Sequence, residues 1–506
     1  MFFKAHARIT SISTALFLIL IIPQSMRAQE SGAYEATRPA NATILNLEQA
    51  LDLALEQSWR IERGRMGLAR AEFNLTAVRA ALKSNASLSL TLPDYDRSLR
   101  DWTNSSGITT VIKNQSAKYF GKISIRQPLS TDGVISLNGT LNRNQTELYS
   151  YSSDDKYYGS ANIRFDQPIL QPNGIKNAIR KAEISLEETY LGFQDEEIRI
   201  RTDISRKFFE ILEMTYQDKL AREEVDRLEQ VYVTGQQLFA DGTITELNLL
   251  QLEVELSSRR DNASATAGRL DRELDDFKQD LGLPLDDEIA LEPVLEQVEV
   301  VIDENAMMEQ ALAQRSDLRR TLNRRENHEM DLAERRSRGR LTGNISISLG
   351  LDAQGQEFYD MADSWLDPDQ ARGVAITFSL PLWDWGRNDA TVASKQIDID
   401  QNYRTEEENI KTIAREVSSA VARVREADTR LTQLLPGLDA AERSYELTLQ
   451  QFQSGAINAQ DIMLTKNRLF ESHNTYLEAY LDYRRAIIDM TAVTSGSGYS
   501  RGGRGF

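Results

Sequence analysis

The chain has 506 residues, of which 27% are charged and 41% hydrophobic, with only 11 prolines; this composition suits long helices and not disorder. Its net charge of −18 argues against nucleic acid as a partner, because phosphate recognition needs a basic stripe. There is no cysteine, which removes disulfides, thiol catalysis, most structural zinc sites and an N-terminal lipid anchor on Cys. The acidity fits a water-filled acidic lumen and plain solubility equally.

Residues 1–28 read as a secretory signal. Lys4, His6 and Arg8 form a basic start, Ile9 to Ile22 an apolar core, and Ala28 a plausible last residue before cleavage. The apolar core is short for a transmembrane helix, and nothing else in the chain comes near 18 consecutive apolar residues. An exported chain of this kind enters a membrane only as a barrel.

A first helix is predicted over 46–84, with Asn46 as cap and Leu47, Ala50, Leu51, Ala54 and Leu55 at helical spacing. The period then drops to two. Ala86, Leu88, Leu90 and Leu92 alternate with polar residues, as do Tyr119–Ile125, Ile135–Leu141 and Gly159–Phe165. These segments predict strands with one apolar and one polar face.

Pro168 ends the last of them, and Gly174 opens a helical hairpin reaching to Leu283 with a break near Gly242. Residues 284–302 read as an irregular link. The second half, 303–495, replays the first. Its opening helix matches residues 54–61 at an offset of 257, strands are predicted at 344–352 and 373–382, and a second hairpin spans 386–493 with a break near Gly455. Each long arm should reach roughly 100 Å at 1.5 Å rise per residue.

From Pro381 the offset falls to 212–213, so repeat one carries an insertion between its first and last strands. The extra hairpin, about 118–143, lies in that insertion, and the pattern leaves open whether it joins the sheet. Pro436 interrupts the second long arm and should kink it. Residues 496–506 form a Gly-rich tail expected to be disordered.

His328 and His473 stand alone on helical stretches and read as solvated surface histidines. No nucleophile–base arrangement, histidine-based metal cluster or phosphate-binding loop is apparent, so neither an enzyme nor a cofactor is expected.

The chain resembles the TolC-like outer-membrane efflux family over nearly all of 44–493. The resemblance rests on Leu47–Leu55, the strand–Pro–helix junctions at Pro168/Gly174 and Pro381/Gly386, the turns Phe239–Thr243 and Phe452–Ala456, and Leu281–Pro284. It implies a mostly α fold with a transmembrane β-barrel, built by a homotrimer with four strands per chain and 12 in all, above an α-helical periplasmic tunnel. It also implies outer-membrane lipid, a periplasmic adaptor (membrane fusion) protein and an inner-membrane pump as partners.

Carried over residue by residue, Gly242, Thr243, Gly455 and Ala456 form the adaptor-docking tip. Asp461 matches a gate aspartate, with Asn248 in the equivalent place of repeat one. Leu464 stands where a second acidic residue narrows the entrance, and Phe452 where a tyrosine ties it shut. Asp461 also fits a solvated residue or a first-turn partner of the helix dipole. The glycines also fit plain turns, and Phe452 a core staple. The functions in view are a small-molecule efflux duct, a duct for secreted polypeptides, and a structural periplasmic coiled-coil protein without a pore.

Overall fold

In the computed structural model the chain is described at residues 43–103, 107–148, 152–242, 244–292, 300–453, 457 and 459–495. The signal-like segment 1–28 and the tail 496–506 lie outside the described residues.

After a short strand β1 (Thr43–Leu45), the predicted first helix is two helices, α1 (Leu47–Gln57) and α2 (Trp59–Ala80). Ser58 separates them: its extended backbone ends α1, and its hydroxyl accepts from the Arg60 N–H to cap α2. Repeat two breaks at Arg315, between α5 (Glu304–Gln314) and α6 (Ser316–Arg338).

Four antiparallel strands follow α2: β2 (Asn85–Thr103), β3 (Thr109–Pro128), β4 (Val134–Leu148) and β5 (Ser152–Ile169). They run well past the predicted alternation. In β2 the register shifts between Thr91 and Asp94, where Pro93 cannot donate to the ladder. Repeat two supplies β7 (Thr342–Gly355), a short helix α7 (Phe358–Ser364) and β8 (Asp369–Ser379). All six form one sheet in the order β2-β3-β4-β5-β7-β8.

The extra hairpin therefore does join the sheet, and the described residues contribute six strands to it, not the four that the resemblance implies. Its membership is anchored on both sides, since β3 pairs along β2 and β4 along β5. A second anchor is the turn between β3 and β4. Asp132, at φ 72°, accepts from the Gly174 and Ile175 N–H groups at 3.1 and 3.3 Å, so the inserted hairpin caps the long helix that follows.

That helix, α3 (Gly174–Ala240), and its counterpart α8 (Arg387–Gln453) each have 67 residues. The return arms α4 (Glu246–Leu281) and α9 (Ala459–Ser495) have 36 and 37. Pro436 lies inside α8, which runs on through it as one helix, and a cavity of about 400 Å³ opens beside it between α8 and α9. Gly282, at φ 79°, closes α4 in the left-handed conformation that glycine adopts without strain.

The helices lie in a layer whose order follows the sheet. Nearest the strands, α2 packs on α3, α3 on α6 and α6 on α8; farther out, α4 packs on α3, α3 on α9 and α9 on α8. Each level is four helices wide. The main core sits where the levels meet, with Phe208, Phe209, Leu212, Phe277, Ile413, Val417, Tyr480 and Leu481 buried together. The link 284–302 is not wholly irregular: β6 (Ile289–Leu291) pairs in parallel with β1 against this core.

Candidate functional site

One face of the sheet is apolar from edge to edge. The row through Ala86 continues through Ile125, Leu137, Ile163 and Leu349 and ends at Arg372 of β8, below which Val374, Ile376 and Phe378 carry the apolar surface to that edge. Leu88, Leu90, Ile123, Leu141, Ile347, Val374, Ile376 and Phe378 share this face and are exposed. From Gly343 to Ala353, β7 covers roughly 34 Å along its length at about 3.4 Å per residue. Tilted by about 40°, that is roughly 26 Å of height, close to the apolar band of an outer-membrane barrel.

Aromatic side chains bound the band at both ends. Trp383 and Trp385, with ring centroids 4.9 Å apart, project at the helix end, and Trp385 is 88% exposed. At the far end Tyr157 meets Phe358 of α7. Amphipathic rings at two such levels mark membrane–water interfaces.

The opposite face is polar and hydrogen-bonded across strands. Ser124 donates to Asn138 (2.6 Å), Asn138 to Asn162 (3.1 Å) and Ser346 to Asp166 (2.7 Å), while the Thr140 and Ser160 hydroxyls share a bond of 2.5 Å. A wall apolar on one side and polar on the other separates lipid from water.

The junctions below the strands are built differently in the two repeats. In repeat one Pro168 still pairs with Asn344, and Gly174 opens α3 under the Asp132 cap. In repeat two Pro381 follows β8, and Gly386, at φ 77°, donates to Asp384 (3.0 Å), whose other oxygen accepts from the Asn388 N–H at 2.9 Å.

At the hairpin tips Gly242 is exposed at φ 72°. Thr243, Gly455 and Ala456 lie outside the described residues. Asn248 is half-buried in the first turn of α4, its N–H directed at the Thr245 hydroxyl. Asp461 is exposed in the first turn of α9, and Leu464, one turn on, is 52% exposed. Phe452 is only 1% exposed: it packs with Leu228, Val231, Leu252, Leu256, Tyr445, Ile462 and Leu469, which joins the two hairpins. The structure thus puts Asp461 and Leu464 on the surface and Phe452 inside.

Just above the tips lies a charge cluster that residue spacing did not reveal. Glu224 of α3 and Lys466 of α9, both buried, stand 3.1 Å apart, and Arg259 of α4 lies 3.4 Å from the same carboxylate oxygen. Arg259 also reaches Glu255 at 2.7 Å and donates to Asn467. Burial pulls Lys466 below the usual lysine range, and Glu224 offsets only part of that. The cluster ties the two hairpins together.

His473 and His328 are half-buried, not solvated as expected. His473 lies 3.4 Å from Glu442, and burial lowers its pKa despite that carboxylate. Among the described residues no group of His, Asp or Glu could hold a metal ion, and no helix is long and apolar enough to cross a membrane.

A lipid-compatible sheet standing on helices of 67 residues defines a class: a β-barrel channel prolonged by a helical tunnel. The sequence matches the family described as outer membrane efflux protein over residues 134–282 and 307–496, about two thirds of the chain, and the chain belongs to that family. No curated protein matches it in sequence.

Among solved structures it is similar to the CmeC outer membrane channel of Campylobacter jejuni. Identity is 12% and the TM-score 0.66, over 89% of this chain and 86% of that one. It is also similar to the outer membrane protein VceC of Vibrio cholerae, at 13% identity and TM-score 0.65, over 89% and 97%. The open-state MtrE channel of Neisseria gonorrhoeae aligns at 11% identity and TM-score 0.62, over 89% of each chain. The protein is thus a member of the outer membrane efflux family with the fold of these outer-membrane proteins.

Proposed function

We propose that the chain is the passive exit duct of a tripartite efflux system, carrying small molecules through the periplasm and the outer membrane. It works as a homotrimer, with a periplasmic adaptor engaging the hairpin tips and an inner-membrane pump supplying the energy. The single observation that carries this reading is a sheet apolar on one face and polar on the other, continuous with a four-helix layer of matching order. A coiled-coil protein without a pore has no use for such a wall.

In this reading Gly242, Thr243, Gly455 and Ala456 meet the adaptor, while Asp461 and Leu464 face the narrow entrance with Asn248 beside them. Phe452 acts behind them as the staple between hairpins. Family membership and the efflux channels it resembles support export over a structural role. The experiment is single-channel conductance of the detergent-purified protein in a planar bilayer. A small, steady, cation-preferring conductance is expected. Assembled protein that never conducts, even when Asp461 and Glu224 are replaced to loosen the tips, would overturn the duct.

A further inference from the structure

β2 and β8 end the sheet, and each is apolar on the same face as the strands between them. A sheet edge in lipid leaves backbone N–H and C=O groups without partners, which no bilayer-spanning structure tolerates. Because six antiparallel strands separate the edges, β8 runs opposite to β2. A neighbouring copy's β2 therefore continues the antiparallel order without a break.

Width sets the geometry of closure. Six strands about 4.8 Å apart, tilted by about 40°, are roughly 38 Å across. Four helices at interaxial distances of about 9–10 Å are roughly 36–40 Å across. Sheet and helix layer therefore subtend the same arc and close with the same number of copies. Four strands would give only roughly 25 Å and force a taper.

The register at the seam follows from the rows inside the chain. The row that starts at Asn85 runs through Arg126, Ser136, Arg164 and Ser348 to Gly373. Gly373 lies six residues short of Ser379, the last residue of β8, and β8 ends and β2 begins at the helix end of the sheet. One residue of stagger per strand corresponds to a tilt of about 35°, inside the range of closed barrels. Pairing Asn85 with Ser379 sets Leu88 against Ile376 and Leu90 against Val374 on the apolar face, and Ser87 against Thr377 on the polar one.

We infer that three copies close into a single barrel of 18 strands, β8 of each pairing with β2 of the next in this register. The number of copies rests on the duct proposed above; the six strands per copy do not. The barrel is half as wide again as one made of four strands per copy, since diameter grows roughly linearly with strand number. Its wall includes the β3–β4 hairpin, pinned below by the Asp132 cap.

The absence of native cysteine gives a cross-linking test no background. Protein carrying Ser87→Cys and Thr377→Cys, oxidised in detergent micelles, is expected to give a ladder ending at three chains. The pair Ser87→Cys with Gly373→Cys, four residues out of register, should give none. A ladder ending at two, or one formed only by the mismatched pair, overturns the inference. Conductance with a two-chain ladder sinks the 18 strands and leaves the duct standing; a three-chain ladder with no conductance, even when Asp461 and Glu224 are replaced, does the reverse.

A second variant replaces residues 104–151 with an Asn-Gly turn, which removes the hairpin. The radius of the largest neutral polymer that enters the outer mouth and lowers conductance should fall by about a third. An unchanged cut-off takes the hairpin out of the wall. If that variant does not assemble, the cross-link result decides alone.

Discussion

Ser58 in repeat one and Arg315 in repeat two occupy the same break between paired helices. Ser58 caps α2 through its hydroxyl, whereas Arg315 makes no side-chain cap and instead places a buried guanidinium between Asp317 (2.7 Å) and Glu416 (2.5 Å). The entries to the long helices differ as well: Asp132 reaches α3 from an inserted hairpin, while Asp384 caps α8 from three residues upstream. Yet α3 and α8 have the same length. The two arms stand in one helical layer, so arm length is held equal, and each end is fastened by whatever side chain lies at hand.

The largest effect should come from the first of these contrasts. Arg315→Ala strands Glu416 in a packed layer, and loss of one partner of a buried ion pair costs about 3–5 kcal/mol. Ser58→Ala removes one helix cap and should cost about 1 kcal/mol. Urea midpoints of the detergent-solubilised protein measure both. Equal losses would mean that the ion pair holds its break no better than a hydroxyl does.

Next comes the cluster that joins the repeats. Glu224→Ala leaves Lys466 and Arg259 as like charges without their shared carboxylate and should cost about 3 kcal/mol. Its pH dependence follows from Lys466, whose pKa is lowered by burial in the folded protein. Between that lowered value and the ordinary 10.5, the unfolded chain binds more protons, so stability rises with pH across this window. Lys466→Met should flatten the rise in urea midpoints taken from pH 8 to 10.5. A slope that persists in this variant assigns the effect to another group.

The two caps should be nearly equivalent, with Asp132→Ala and Asp384→Ala each costing about 1 kcal/mol. A far larger loss at Asp132 would show that the inserted hairpin comes away from the wall when its lower tie is cut. The smallest effect on stability belongs to Asp461→Ala, an exposed position. Assembly should be unchanged while cation selectivity falls, and identical currents in wild type and variant would remove Asp461 from the entrance.

Much of this architecture was legible as periodicity. The switch from helical spacing to alternation at Ala86 and Ile345, and the glycine breaks at Gly242 and Gly455, are local signals that lie on single elements. The inserted hairpin was visible as alternation, but alternation says nothing about which strand lies alongside, so its place between β2 and β5 was not readable. Single residues with long-range partners were also silent. Glu224, Arg259 and Lys466 look like ordinary charges on wet helices until three helices bring them together. Ser58 and Arg315 break helices without a proline or glycine to announce it. At the tips Phe452 was legible as a core staple, while spacing alone could not tell surface from interior at Asn248, Asp461 and Leu464.

The three-residue pairing of β1 with β6 has a consequence for how the chain is made. Thr43 and Ile289 meet side by side, so the clasp closes a loop containing the whole of repeat one and nothing of repeat two. Contacts so distant in sequence form slowly, because the entropy of closing the loop is lost before any contact repays it. The ladder itself ends at Glu292, whose N–H donates to the Leu45 carbonyl at 2.9 Å, but Leu45, Ile289 and Leu291 are buried in a core that repeat two completes, so the clasp fastens both halves of the chain at once.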